Sequence, residues 1–252
     1  MQVLIVGCNG SMGQVVVDEL KNISDIDVIC GIDRTPNKII QDFNVYSKFS
    51  DINEKIDVII DFSHPFYLDD MLDYSRNNRI PIVIATTGYS DVEMEKIYKL
   101  SNKSAVFYSA NTALGVNVFM SLIVAAAEKL GSKFDIDIIE KHHATKEDSP
   151  SGTTKSILNN LESKLNKKYK YVYGRNGVNN SRKENEIGIY SIRAGNHDSN
   201  HAISFIGDNE SIDIESNVSS LSAFAKGAIQ AAIYIENADA GYYDMSDILK
   251  NL

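Results

Sequence analysis

Two adjacent imidazoles, His142 and His143, stand just before Lys146 and a Ser151-Gly152-Thr153-Thr154 turn. Imidazole is the side chain whose proton exchange falls nearest neutral pH. Lysine offers a compact positive charge to an anionic group. A Ser-Gly-Thr-Thr stretch opening a helix presents backbone N–H groups to a carboxylate or phosphate. The segment Glu140–Thr153 therefore combines a proton donor with an anion pocket. A polar surface loop, or a metal site on the two histidines, would use the same residue types. Neighbouring side chains seldom both turn to one ion, and no cysteine is near, so the sequence predicts no metal here.

A second constellation lies at the start of the chain. Gly7, Gly10 and Gly13 form GxxGxxG between an apolar run, Gln2–Gly7, and an amphipathic stretch with Val15, Val16, Leu20 and Ile23 inward. Such glycines let backbone approach a pyrophosphate that sits at the helix N-terminus. Many tight strand–helix turns hold glycines for steric reasons alone, which would leave a similar scaffold that binds nothing. Asp33, twenty residues past Gly13, ends the second apolar run, where a carboxylate meets adenosine ribose hydroxyls. Gly7, Cys8, Asn9, Gly10, Ser11, Met12, Asp33 and Arg34 are thus candidate cofactor contacts. Asp33 favours the free 2′-hydroxyl of NADH, whereas Arg34 can pair with the 2′-phosphate of NADPH; both cofactors fit.

The elements that must position these groups follow from periodicity. Buried strands are expected at 2–7, 27–32, 57–62, 80–85 and 105–108, with helical stretches between them. That alternation predicts an α/β, Rossmann-like, doubly wound parallel sheet. From about Val116 the pattern changes to a helix over 116–130, a strand over 134–140 that delivers the histidines, and a helix over 151–165. Alternating runs at 186–194, 201–206 and 211–218 follow, with Gly207-Asp208-Asn209-Glu210 turning the last two into an antiparallel pair. An alanine-rich helix spans 222–237. An α/β pattern followed by an α+β pattern predicts two domains, the second with an open mixed sheet.

The 252 residues carry a net charge of −9, which argues against nucleic acid or an anionic membrane as principal partner. Against that background Lys141, His142, His143, Lys146 and Lys155 gather near one turn, which suits an anionic small molecule. Two cysteines, Cys8 and Cys30, imply no disulfide framework and fit a reducing cytosol. No basic leader precedes the first strand, and no apolar run reaches the ~20 residues of a spanning helix.

The run His142-His143-Ala144-Thr145-Lys146-Glu147-Asp148-Ser149-Pro150-Ser151-Gly152-Thr153 resembles the His-His-x-x-Lys-x-Asp-(Ala/Ser)-Pro-Ser-Gly-Thr signature of the dihydrodipicolinate reductases of lysine biosynthesis. Asp61-Phe62-Ser63-His64-Pro65 is similar to that family's Asp-Phe-(Ser/Thr)-x-Pro, and Ala85-Thr86-Thr87-Gly88 to its Gly-Thr-Thr-Gly. Ser109-Ala110-Asn111-Thr112 with Gly115-Val116-Asn117 resembles Asn-Phe-Ser-x-Gly-Val-Asn. Tyr173–Gly177, Glu186–Gly188 and Ile192–Gly195 match in order and spacing.

The resemblance covers nearly the whole chain. It implies a 4-hydroxy-tetrahydrodipicolinate reductase: an oxidoreductase delivering hydride from NADH or NADPH to a cyclic dicarboxylate, in diaminopimelate and lysine biosynthesis. His142 would protonate the carbanion or enamine so formed, and Lys146 would neutralise a carboxylate or assist proton delivery. His143 and the N–H groups of Gly152 and Thr153 would bind carboxylate oxygens. Ala85, Thr86, Thr87, Ser109, Ala110, Asn111 and Thr112 would surround the nicotinamide. The resemblance also implies a dinucleotide-binding domain over 1–112, completed by 222–252 as the last helix returns to it, a domain over 113–221 for substrate binding and oligomerisation, and a cytoplasmic homotetramer.

Departures from the pattern are specific. Ser11 replaces the arginine of the family's Gly-Arg-Met-Gly, which shifts weight toward NADH. Ser216 replaces a late-strand histidine and Leu221 an arginine, and Ser199 stands at a glycine. They leave room for a catalytically impaired NAD(P)-binding regulatory paralogue, and a reductase of the same fold acting on another small acid is a third possibility. The intact His142, His143 and Lys146 favour the enzyme, since a sensor needs no proton donor.

Overall fold

A computed structural model describes residues 1–196 and 199–251. The chain divides into two compact units, Met1–Leu114 with Leu221–Leu252, and Gly115–Ser220. The first contains β1 (Gln2–Val6), α1 (Ser11–Leu20), β2 (Asp27–Ile32), β3 (Asn44–Tyr46), β4 (Val58–Asp61), α2 (Leu68–Asn78), β5 (Ile82–Ile84), α3 (Asp91–Leu100) and β6 (Ala105–Tyr108). The second follows with α4 (Leu114–Leu130), β7 (Asp135–His142), α5 (Gly152–Leu165), β8 (Lys170–Tyr173), β9 (Glu186–Arg193), β10 (Ser199–Ile206) and β11 (Ser211–Val218). α6 (Ser222–Ile235), β12 (Gly241–Tyr243) and α7 (Met245–Leu249) rejoin the first unit.

In the first unit seven parallel strands stand in the order β12-β6-β5-β4-β1-β2-β3. A parallel sheet covered on both faces needs apolar side chains in both directions, hence the continuous runs in the sequence. Val3, Ile5, Val58, Ile60 and Val83 pack with α1, α6 and α7 on one face. Leu4, Val6, Ile59, Ile82 and Ile84 pack with α2 and α3 on the other. The expected Val15, Val16, Leu20 and Ile23 all pack against the core on this side, with Val17 added to them. Gly13, Val16, Val17 and Leu20 are buried, while Val15 is only half-buried. Close approach of Gly13 to the strand–helix loop sets the rotation of α1, so positions three, four and seven further on turn inward. β3 and β12, three-residue strands at the two sheet edges, hold no fully buried residue and so lack the apolar run that announces β5.

The second unit is an open mixed sheet in the order β11-β10-β7-β9-β8, parallel at β7–β9 and β8–β9 and antiparallel around β10. Phe119, Ile123 and Ala127 of α4 and Ile157, Leu158 and Leu161 of α5 cover Ile136, Ile138, Ile187, Ile189, Ile203 and Phe205. Gly207 N–H donates to the Glu210 carbonyl at 2.9 Å and closes the expected hairpin. Among the described residues no helix is long and apolar enough to cross a membrane.

Candidate active site

Period two carries β7 from core to chemistry: its inward row runs Ile136, Ile138, Glu140, His142. Strand register then supplies the neighbours. His142 stands opposite Arg193 of β9, and Glu140 opposite Ser191 of β9 and His201 of β10. Glu140 is fully buried, and its Oε2 accepts a hydrogen bond from His142 Nδ1. Arg193 grips the same carboxylate with both terminal nitrogens, at 2.8 Å and 3.0 Å, a bidentate pair of the strongest kind. Its Nη2 also donates to the Asp148 carbonyl at 2.6 Å. The His201 ring meets His142 edge-on with centroids 5.1 Å apart. His201 Nε2 lies 2.8 Å from Ser151 Oγ, and Nδ1 3.3 Å from Ser199 Oγ.

These surroundings set charge states. Burial alone would raise the Glu140 carboxyl. Hydrogen bonds from Arg193 and Ser191 and the nearby His142 more than offset it, so Glu140 sits below the ordinary carboxylate range. Burial draws His142 below the usual imidazole value; Glu140 works against that shift, whereas Lys146 and Arg193 add to it. Burial pulls His201 down to about 4, leaving it neutral near neutral pH. Donor atoms of Glu140, His142 and His201 lie within 4.8 Å of one another, the spacing of a metal cluster. Arg193 already takes both carboxylate oxygens, His142 Nδ1 is bonded to Glu140, and His201 Nε2 meets Ser151.

The loop after β7 is built from local bonds. His143 Nδ1 pairs with Thr145 Oγ1 at 2.8 Å, and Ala144 N–H donates to the Gly195 carbonyl at 3.1 Å. Lys146 Nζ lies 2.6 Å from Asp148 Oδ1, which holds the Asp148 carboxyl below its ordinary range. Ser151 is the N-cap of α5, its Oγ accepting from Thr154 N–H at 3.2 Å. Among the described residues no protein group accepts from the N–H of Gly152 or Thr153. A Cβ on Gly152 would meet nothing within 4 Å, so the protein's own packing does not demand glycine there.

In the first unit, Gly7 has φ +81° and a Cβ there would stand 2.6 Å from the Phe62 carbonyl oxygen. A Cβ on Gly13 would stand 2.1 Å from the Gly7 carbonyl oxygen, so α1 starts tight against the loop. Gly10, the N-cap of α1, supplies no side chain to the first amides of the helix. Asn9 fixes the loop, donating from Nδ2 to the Thr35 carbonyl at 2.8 Å. Asp33 accepts from Asn9 N–H at 3.3 Å and from Thr35 N–H at 2.9 Å. Ser11 and Arg34 are exposed, as an N1 residue and a loop residue. Cys8 and Cys30 are buried thiols that burial pushes up to about 12.

The loops after β4 and β5 are stapled by Asp61. It is fully buried and accepts from Ser63 N–H at 3.1 Å, from Ser63 Oγ, and from Tyr89 hydroxyl at 3.4 Å. Thr86 Oγ1 accepts Ser63 N–H at 2.7 Å, and Ala85 N–H donates to the Asp61 carbonyl at 2.9 Å. Burial raises the Asp61 carboxyl to about 6. After β6, Ser109 Oγ donates to the Asn111 carbonyl at 2.7 Å and Thr112 Oγ1 to the Phe224 carbonyl at 2.7 Å. His64 caps a 3-10 turn at Phe66 N–H, a purely local task.

The second unit thus brings together His142, Lys146 and the α5 amides, and the first brings together the glycine loop with Asp33. Sequence reading assigned no role to Glu140, Arg193, His201 or Asp61. Alternation along β7 could have shown Glu140 inward; the other three depend on register or loop closure.

Residues 1–112 match the family model of the dihydrodipicolinate reductase N-terminus, and residues 115–249 that of its C-terminus. The 4-hydroxy-tetrahydrodipicolinate reductase of Caldanaerobacter subterraneus subsp. tengcongensis is 40% identical over 250 residues, covering 99% of this chain and 98% of that protein. The Clostridium tetani protein of the same name is 36% identical over 251 residues, covering 100% and 98%. The dipicolinate-bound dihydrodipicolinate reductase of Paenisporosarcina sp. TG-14 shares the fold at a TM-score of 0.79 and 22% identity, over 97% of each chain. Motifs, fold and full-length similarity agree, and the chain belongs to the dihydrodipicolinate reductase family of oxidoreductases.

Proposed function

We propose that this chain reduces 4-hydroxy-tetrahydrodipicolinate, or the dehydrated ring derived from it, to tetrahydrodipicolinate in diaminopimelate and lysine biosynthesis. A nicotinamide dinucleotide supplies hydride when bound. The glycine loop at Gly7, Cys8, Asn9, Gly10, Ser11 and Met12 would hold its pyrophosphate against the start of α1, with Asp33 and Arg34 at the adenosine ribose. The loops at Ala85, Thr86 and Thr87 and at Ser109, Ala110, Asn111 and Thr112 would lie around the nicotinamide. Residues 1–112 with 222–252 serve the cofactor, and 113–221 the substrate and assembly.

The observation that carries most weight is in the second unit. His142, its Nδ1 held by Glu140, ends the strand that leads into the Lys146 loop and on to two amides that have no protein acceptor among the described residues. His142 donates a proton to the reduced ring, Lys146 and His143 meet carboxylates, and Gly152 and Thr153 donate N–H bonds to carboxylate oxygens. Two substrate carboxylates beside the ring raise the His142 pKa and restore the proton that burial removes. Ile139, Ile192 and Ile206 stand 38%, 43% and 43% exposed on the sheet face opposite α4 and α5, which supports burial of that face in a homotetramer. The overall acidity and reduced cysteines support a cytoplasmic setting.

With Ser11 at the loop arginine, Arg34, beside Asp33, is the cation placed to meet a 2′-phosphate in this reading. One charged hydrogen bond contributes roughly 1.5–3 kcal/mol, or about one to two decades in affinity. The expected result is turnover of enzymatically generated substrate with NADH at least as good as with NADPH. Ser11→Arg should shift kcat/KM toward NADPH, and Arg34→Ala should weaken NADPH selectively. Tight dinucleotide binding without turnover would point to a regulatory paralogue. A strong NADPH preference indifferent to Arg34→Ala would place the phosphate elsewhere.

A further inference from the structure

A carboxylate accepts hydrogen bonds and cannot donate them, so the Glu140 contact requires the proton of the neutral His142 ring to sit on Nδ1. Nε2 is then the nitrogen whose proton comes and goes. Loss of that proton leaves the very tautomer that Glu140 binds, with no ring flip. We propose that Glu140, clamped by Arg193, is the positioning residue that fixes this tautomer and retains the His142 proton, and that Arg193 ties the Lys146 loop to the same ring; this rests on His142 as the proton donor. The tie is physical: the guanidinium that grips Glu140 also donates to the Asp148 carbonyl, and the Asp148 carboxylate holds Lys146 at 2.6 Å.

The charges around His142 make Glu140 decisive. From its own strand the ring meets Glu140, from β9 Arg193, from β10 the neutral His201, and from the loop Lys146, itself paired with Asp148. Burial and two cations expel the proton, and Glu140 is the anion bonded to the ring. A burial-free surface glutamate would contribute little here; a fully buried one, held ionised by a bidentate arginine, acts through a medium that screens it weakly.

The test compares kcat/KM against pH for wild type, Glu140→Gln, Glu140→Asp and Arg193→Gln. It also follows His142 imidazole C–H signals by NMR titration, assigned with His142→Gln. A general acid loses activity as pH rises through its pKa. In Glu140→Gln that limb and the NMR titration should move down by about one pH unit or more, costing about tenfold in kcat/KM at pH 8 relative to pH 6. Glu140→Asp keeps the charge and should recover much of the shift. Arg193→Gln removes a cation and should move both readouts upward, the opposite sign. Lost packing alone would lower the whole profile without moving it.

Folded Glu140→Gln with unshifted titration overturns the proposal. Should that variant not fold, the tautomer of the wild-type ring decides: a neutral His142 whose proton sits on Nε2, read from its ring nitrogen NMR shifts, overturns it. Full turnover by His142→Gln would instead overturn the proton-donor assignment, leaving the NMR shifts to judge Glu140 on their own.

Discussion

At His142 the proton needed for the proposed chemistry is disfavoured by burial, Lys146 and Arg193, and retained by Glu140. A dianionic ligand beside the loop tips that balance, so protonation and substrate binding should be linked. Lys146 is half-buried, its ammonium paired with the more exposed Asp148. Lys146→Ala should raise KM and lower kcat, because the charge holds the dianion in its reactive pose. Dipicolinate, a planar analogue, should compete with substrate on the wild type and bind Lys146→Ala poorly; equal inhibition of both would place the carboxylate elsewhere. His142, His143, Lys146 and Ser151 were legible because they share one short segment. Arg193 and His201 were not: each reaches the ring only through strand pairing across about fifty residues of chain.

At the element scale the proposed anion chemistry falls at two helix starts, and their glycines differ in physical origin. Gly13 is demanded by the fold, since a Cβ there would stand 2.1 Å from the Gly7 carbonyl oxygen. Gly152 is not, since a Cβ there meets nothing within 4 Å. Gly13→Ala should therefore lower the melting temperature and weaken dinucleotide binding together. Gly152→Ala should leave stability unchanged or slightly raised, by up to about 1 kcal/mol, while raising KM for the dicarboxylate. A Gly152→Ala enzyme with unchanged KM would show that the substrate does not approach that amide. Long periodic elements were readable from sequence, and so was the hairpin at Gly207–Glu210. The edge strands β3, β8 and β12 were not: none holds a buried residue, so they lack the apolar run that marked the equally short β4, β5 and β6, and strand pairing decides their state.

Across the whole molecule, two buried groups far apart in sequence oppose each other in pH dependence. Asp61, raised by burial from 3.8 to about 6, binds a proton in the native state where the unfolded chain does not. Its contribution to stability is full below about pH 4 and lost as pH rises through about 6. His201, lowered by burial from 6.5 to about 4, is the reverse: full above about pH 6.5 and lost as pH falls toward 4. Asp61→Asn removes the first slope, so its melting temperature should climb with pH between about 4 and 6 more steeply than that of the wild type. Parallel profiles would show that Asp61 does not hold its proton there. The change from α/β to α+β pattern near Val116 was legible in the sequence. Return of α6, β12 and α7 to the first unit was implied only by the family resemblance, since no local pattern encodes it. The chain as a whole is proposed to reduce a cyclic dicarboxylate with His142 as its proton donor, and the most direct measurement is steady-state turnover and dinucleotide affinity of His142→Gln beside the wild type. The account expects kcat to fall by roughly 10²–10⁴-fold with dinucleotide affinity nearly unchanged; a variant that keeps near wild-type kcat would contradict it.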